Sequence, residues 1–148
     1  MMDLDHNATT PVLPEVFEAM APYLTAEWGN PSSTYKFGYK IKSAIETARE
    51  QVAALIGAHP AEIIFTSCAT ESNNAAMHAA LRANPGKRYI VTSAVEHSSV
   101  LNYCKALAQD GTYWPGGRDG LLKPADPGNA IAPQTAIALL LCANKHNG

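Results

Sequence analysis

Two kinds of apolar pattern alternate along the chain. One is the fourfold spacing of helices and the other the short unbroken run of covered strands. Val12, Val16, Met20 and Leu24 return every four residues, which predicts a helix from about Pro11 to about Leu24. Thr10 ahead of Pro11 supplies its entry, a hydroxyl cap followed by proline at the first helical position. Phe37, Ile41, Ile45, Ala48, Val52, Leu55 and Ile56 form a second stripe, with Lys40, Lys42, Glu46, Arg49 and Glu50 mostly elsewhere. Gly57 closes that helix as the residue that turns left-handed. Between the two helices, Gly29-Asn30-Pro31-Ser32-Ser33 is a loop by composition.

From Glu62 onward the pattern changes to strand followed by helix. Ile63, Ile64 and Phe65 suit a strand in the middle of a covered sheet, running directly into a helix that begins near Glu71 and passes through Met77 to Leu81. Asn84-Pro85-Gly86-Lys87 is a turn, and Tyr89-Ile90-Val91-Thr92-Ser93 is the next strand. Gly86-Lys87 is no P-loop, because position 81 is Leu rather than Gly and Arg88 stands where a magnesium-binding hydroxyl is needed. Ser98 or Ser99 caps a further helix carrying Val100, Leu101, Cys104 and Leu107. Gly111-Thr112-Tyr113-Trp114 reads as a short strand, and Pro115 to Pro133 as irregular chain with at most one short helix near Asn129. Thr135 to Cys142 is a continuous apolar run, expected as an interior strand of a parallel sheet. The alternation predicts an α/β fold, a mostly parallel sheet flanked by helices and preceded by N-terminal helices. The expected organisation is one incomplete domain over residues 1–148, with a helical segment at 1–57 and a sheet portion at 58–148.

Composition narrows the function classes. The chain has 148 residues, 47% apolar and 16% charged, which fits a soluble globular protein with a core of its own. A net charge of -2 leaves no electrostatic footprint for nucleic acid. No apolar run reaches bilayer length and the first residues do not form a signal peptide, so a cytoplasmic protein is expected. Cys68, Cys104 and Cys142 are far apart, with neither zinc-site nor disulfide spacing.

Chemistry concentrates at two strand-to-helix connections. Thr66-Ser67-Cys68-Ala69-Thr70-Glu71 joins a strand end to a helix N-terminus, where open main-chain N–H groups and the helix dipole favour an anion. An ordinary turn with a Thr or Ser cap has the same pattern. His97 follows Glu96 on the second connection, at the sheet edge where open α/β sheets bind ligands. A histidine in such a loop is otherwise an ordinary surface residue.

Thr-Ser-x-Ala-Thr-Glu-Ser-Asn at 66–73 resembles the phosphate-binding turn of the cysteine desulfurases, pyridoxal-phosphate enzymes of the class V aminotransferase group with fold type I. Asp-x-x-Ala-Thr-Thr at 5–10, Gly-Asn-Pro-Ser-Ser at 29–33 and the Glu96-His97 pair match the same family in the same order. The resemblance runs from about Asp5 to Gly148 and implies the N-terminal part of the large domain of that fold. It implies that Ala69 and Thr70 hold the cofactor phosphate and that His97 lies on the pyridine ring and assists proton transfer. Asn144 would hydrogen-bond the phenolic oxygen. Two positions depart from the family: Cys68 replaces a frequent Gly, and Lys145-His146 stand where Asn-Glu is usual.

By the same resemblance, the substrate is L-cysteine, the products are alanine and an enzyme persulfide used in iron–sulfur assembly, and the protein is a homodimer. The Schiff-base lysine, the acid facing the pyridinium nitrogen, the sulfur-accepting cysteine and the carboxylate-binding arginine of the family match no position among these 148 residues. An incomplete, inactive catalytic set is therefore expected. A selenocysteine lyase within the same group is an alternative, as is a non-catalytic α/β module that binds a partner or packs as a dimer.

Overall fold

A computed structural model of the chain describes residues 5, 6, 8–107, 112–114 and 131–141. It divides into two compact units, Thr10–Phe65 and the remainder, with the division between Phe65 and Thr66.

The Thr10–Phe65 unit is built on two helices. Helix α1 spans Pro14–Thr25, three residues later than its sequence pattern predicts. Two prolines compete for the start. Pro14 wins, because it locks the preceding Leu13 in an extended conformation (φ -63°, ψ 143°) and itself takes a first-turn position. Leu13 rather than Thr10 is the N-cap, and no side chain caps the helix. The predicted stripe is present, but none of α1's residues is buried, and Leu24 is 72% exposed. Helix α2 spans Lys36–Ile56 and ends as predicted at Gly57, whose φ of 67° is the left-handed conformation only glycine adopts freely. Gly38 is buried where a Cβ would sit 2.5 Å from the Asn30 carbonyl and 2.7 Å from the Ser33 Cβ, so the Gly29–Ser33 loop closes directly on the helix backbone. Asn30 holds that loop in shape, its carbonyl accepting from Ser33 N at 3.0 Å and its Oδ1 from Ser32 N at 2.9 Å.

After a single 3-10 turn at Pro60–Glu62 the chain runs extended through Ile63, Ile64 and Phe65, but these residues form no strand. Ile64 is 82% exposed, against the expectation of a covered strand. A β-strand exists only as part of a ladder, and no described segment pairs with this one. Arg49 serves it instead, donating from its guanidinium to the Ile63 carbonyl and lying 4.9 Å from the centroid of the Phe65 ring.

The second unit carries the sheet. Helix α3 (Ala69–Ala83) is followed by strand β1 (Tyr89–Ser93), helix α4 (Ser98–Ala106), strand β2 (Thr112–Trp114) and strand β3 (Thr135–Leu139). All pairing is parallel, in the order β2-β1-β3. The strands expected at 89–93, 111–114 and 135–142 are thus present, as 89–93, 112–114 and 135–139, in a small parallel sheet. The interior place falls to β1 rather than β3. Ile90, Val91, Thr92 and Ser93 are all buried, whereas β3 is an edge among the described strands and its Ala138 is exposed. Register pairs Ile90 with Ile137 and Thr92 with Leu139, after an irregularity between Tyr89 and Ile90. Met77 from α3, Ile90 from β1, and Val100 and Cys104 from α4 form the core, with Leu81, Tyr103, Leu107, Ile137 and Leu139 packed around it. No described helix is long and apolar enough to cross a membrane.

Candidate functional site

The turn from Thr66 to Glu71 spends its polar side chains on itself. Thr66 Oγ1 donates to the Cys68 carbonyl at 3.2 Å and pairs with Ser72 Oγ at 2.6 Å. Ser67 gives both its N–H and its hydroxyl to Glu71 Oε2, each at 2.7 Å. Those two bonds hold the Glu71 carboxyl below its usual pKa, the hydroxyl contributing most. The helix cap itself is Cys68, whose side chain makes no cap hydrogen bond. The first main-chain bond of α3 runs from Ser72 N to the Cys68 carbonyl at 3.1 Å. Ala69, Thr70 and Glu71 therefore donate to no main-chain carbonyl among the described residues.

The hydroxyl cap expected of an ordinary turn is thus absent, and exposed donors stand at the positive end of a 15-residue helix. The Cys68 thiol reports that field. Its pKa is lowered, first by the Glu71 N–H, then by the Ser67 hydroxyl and the Thr70 N–H. A helix start of this kind suits a small anion: the Ala69 and Thr70 amides lie in its first turn beside the Thr70 hydroxyl, and the Glu71 carboxylate is engaged by Ser67.

His97 sits at the head of α4. It is the N-cap, in place of the Ser98 or Ser99 expected, because its Nδ1 accepts the Ser99 N–H at 3.1 Å. Ser99 is buried, and its Oγ lies 2.8 Å from the same ring nitrogen. On its other side that Oγ receives Asn73 Nδ2 at 2.9 Å. Asn73 belongs to the second turn of α3, four residues past Ala69. Ala69 and Thr70 thus open α3 and His97 caps α4, and the two helices are tied together by the Asn73–Ser99–His97 chain of hydrogen bonds. Asn144 lies outside the described residues, as do Cys142 and the segment around Asn129.

Glu96 is also buried, as is its partner Ser93. Its Oε1 accepts the Ser93 hydroxyl at 2.9 Å and the Leu141 N–H at 2.6 Å, which ties the end of β1 to the chain leaving β3. The residues after β1 lie where the strand order reverses, the usual ligand crevice of an open parallel sheet. Asn73, Ser99 and Glu96 were not singled out for this network by the sequence pattern. Asn73 is 26 residues from Ser99, a separation that carries no periodic signal.

Comparison with known proteins agrees with this geometry. The aminotransferase class-V family profile matches residues 2–148. A cysteine desulfurase of Trichormus azollae is 50% identical over 148 residues, covering 98% of this chain and 37% of that protein. The mitochondrial cysteine desulfurase of Drosophila melanogaster is 45% identical over 150 residues, covering 98% of this chain and 32% of that one. Among solved structures, a NifS-like protein superposes with a TM-score of 0.86 at 34% identity, covering 95% of this chain and 40% of that one. SspA in complex with cysteine superposes at 0.85 with 35% identity, covering 98% and 43%. The chain spans little more than a third of the length of the curated relatives it matches. A parallel sheet whose first helix begins in an uncapped Thr-Ser-Cys-Ala-Thr turn, with sequence agreement over residues 2–148, makes this chain a member of the class-V aminotransferase family.

Proposed function

We propose that this chain is the N-terminal, cofactor-positioning part of a cysteine desulfurase that takes sulfur from L-cysteine. The observation that carries the reading is the open N-terminus of α3 bonded through Asn73 and Ser99 to His97. In this reading the Ala69 and Thr70 main-chain N–H groups and the Thr70 hydroxyl hold the phosphate of pyridoxal phosphate, by the dipole and donor argument above. His97 lies flat against the cofactor ring, and Asn144 meets its phenolic oxygen. Glu96 keeps the end of β1 and the segment after β3 at one edge, so that ring and phosphate contacts share a crevice. The cofactor, when bound, supplies an electron sink for negative charge developing on the substrate carbon. L-cysteine as substrate is supported by the names of the relatives and by the cysteine held in one structural neighbour. The groups that attach the cofactor and accept sulfur in the family match no residue among these 148.

The experiment is a titration of the isotopically labelled chain with pyridoxine 5′-phosphate, which needs no lysine to bind. Main-chain amide signals of Ala69, Thr70 and Glu71 and the His97 ring signals should shift, and pyridoxine without phosphate should leave those amides in place. Unmoved Ala69 and Thr70 amides would end the proposal. The alternative, a non-catalytic module or homodimer, is favoured by one feature: Val12, Phe17 and Leu24 of the α1 region are each more than half exposed. It predicts oligomers by sedimentation whether or not the phosphate compound binds.

A further inference from the structure

An imidazole works through one nitrogen when the other is held, and the holder decides which nitrogen carries the proton. In this chain His97 Nδ1 is held from two directions. The Ser99 N–H reaches it at 3.1 Å and the Ser99 hydroxyl at 2.8 Å. A main-chain N–H only donates, which biases Nδ1 toward accepting, and with the hydroxyl donating as well the neutral ring carries its proton on Nε2. The Ser99 oxygen already receives an Asn73 amide proton at 2.9 Å, which leaves its own proton for Nδ1. Donation thus runs in one direction, from Asn73 through Ser99 to His97. Ser99 is 7% exposed, so water competes little for these bonds. His97 itself is exposed, and its Nε2 has no hydrogen-bond partner among the described residues.

We propose that Asn73 and Ser99 are positioning residues for His97, fixing its imidazole in the tautomer with the proton on Nε2 and presenting that N–H as the working edge. What the N–H meets rests on the cofactor-site reading above; the tautomer rests only on the chain's own hydrogen bonds. Neutral His97 then offers a hydrogen-bond donor to its ligand. Its lone pair at Nδ1 is already engaged and is not available as a base.

Two-bond proton–nitrogen correlation spectra of the ligand-free full chain, at a pH where the ring is neutral, test the tautomer directly. The proton should sit on Nε2. Asn73→Asp reverses the first link, because a carboxylate accepts the Ser99 proton and withdraws it from Nδ1; a mixture of tautomers should appear. Ser99→Ala should move the ring the same way to a smaller extent, and Ser99→Thr should restore it. In Ser99→Ala, affinity for pyridoxine 5′-phosphate should fall roughly threefold to tenfold, the worth of one hydrogen bond, while affinity for inorganic phosphate holds. A wild-type proton on Nδ1, a tautomer ratio unmoved by both Asn73→Asp and Ser99→Ala, or equal losses for the two ligands would overturn the inference. If the tautomers behave as stated but pyridoxine 5′-phosphate leaves the wild-type Ala69 and Thr70 amides unmoved, the cofactor reading falls and the positioning of His97 stands.

Discussion

Met20 and Met77 are the same side chain on two helices of the same apolar period, yet Met77 is fully buried and Met20 is 50% exposed. Met77 belongs to the sheet unit, where α3 and α4 close on β1 and β3. Met20 belongs to the Thr10–Phe65 unit, where α1 buries nothing and α2 buries only Gly38, Ile41 and Ala53. Periodicity reports which face of a helix is apolar. It does not report whether anything covers that face. The two units also differ in how they use polar groups. The sheet unit runs hydrogen bonds between elements far apart in sequence, Asn73 to Ser99 and Glu96 to Leu141. In the helical unit the Gly29–Ser33 loop closes on itself and on Gly38, and the Arg49 bond to the Ile63 carbonyl spans 14 residues.

The sharpest way to break this contrast is to shorten the two kinds of apolar residue. Met77→Ala should cost about 2–5 kcal/mol of unfolding free energy, because it opens a cavity in a sealed core. Val16→Ala, 45% exposed at the start, should stay within about 0.5 kcal/mol. Urea unfolding of both variants measures the difference, and equal losses would erase the contrast. Next is the tightest of the glycines in the helical unit. Gly38→Ala should cost about 1–3 kcal/mol, since the new methyl meets the Asn30 and Ser33 backbone within 3 Å. Gly86→Ala in the sheet unit, with nothing within 4 Å, should be nearly silent by the same measurement.

Glu96→Ala comes third. It strands the Leu141 N–H and the Ser93 hydroxyl, a loss of about 1–3 kcal/mol. Hydrogen exchange at Leu141 should rise, and Glu96→Gln, which keeps an acceptor oxygen, should restore most of the protection. The smallest effect is at Glu71, a surface carboxylate whose folded pKa Ser67 depresses. The Ser67 bonds contribute stability above the ordinary carboxylate pKa and lose it as pH falls through the lowered value. Ser67→Ala should raise the Glu71 titration midpoint, followed by side-chain carbon NMR, with little change in stability at neutral pH.

Much of the fold was legible because local chemistry decided it. The α2 stripe with Gly57 behind it, the turn at Asn84–Lys87 and strand β1 all follow from residues within a few positions. The misread places depend on partners elsewhere. Ile63–Phe65 has strand residues but no ladder among the described residues, and Arg49 takes the Ile63 carbonyl and the Phe65 ring. The apolar run at 135–142 reads as interior, yet the position of its strand is set by sheet order, which places β1 between its neighbours. Thr10-Pro11 and Pro14 are both lawful helix starts, and the later one prevails. For the candidate site, the motif at 66–73 located the open amides, and the Glu-His pair located His97. That His97 would be its own helix cap, and that Asn73 and Ser99 would govern its ring, needed the packing of α3 on α4.

The position of β1 has a consequence for how the polypeptide assembles. Both strands that pair with β1 come after it in the chain, and the residue that satisfies Glu96 lies 45 positions downstream. During synthesis, Ile90 and Val91 must wait unpaired until that stretch has emerged. The contacts within α3 and α4 are local and available first, whereas closing the sheet is the longer-range step, of the kind that is slower and exposes unpaired strand edges.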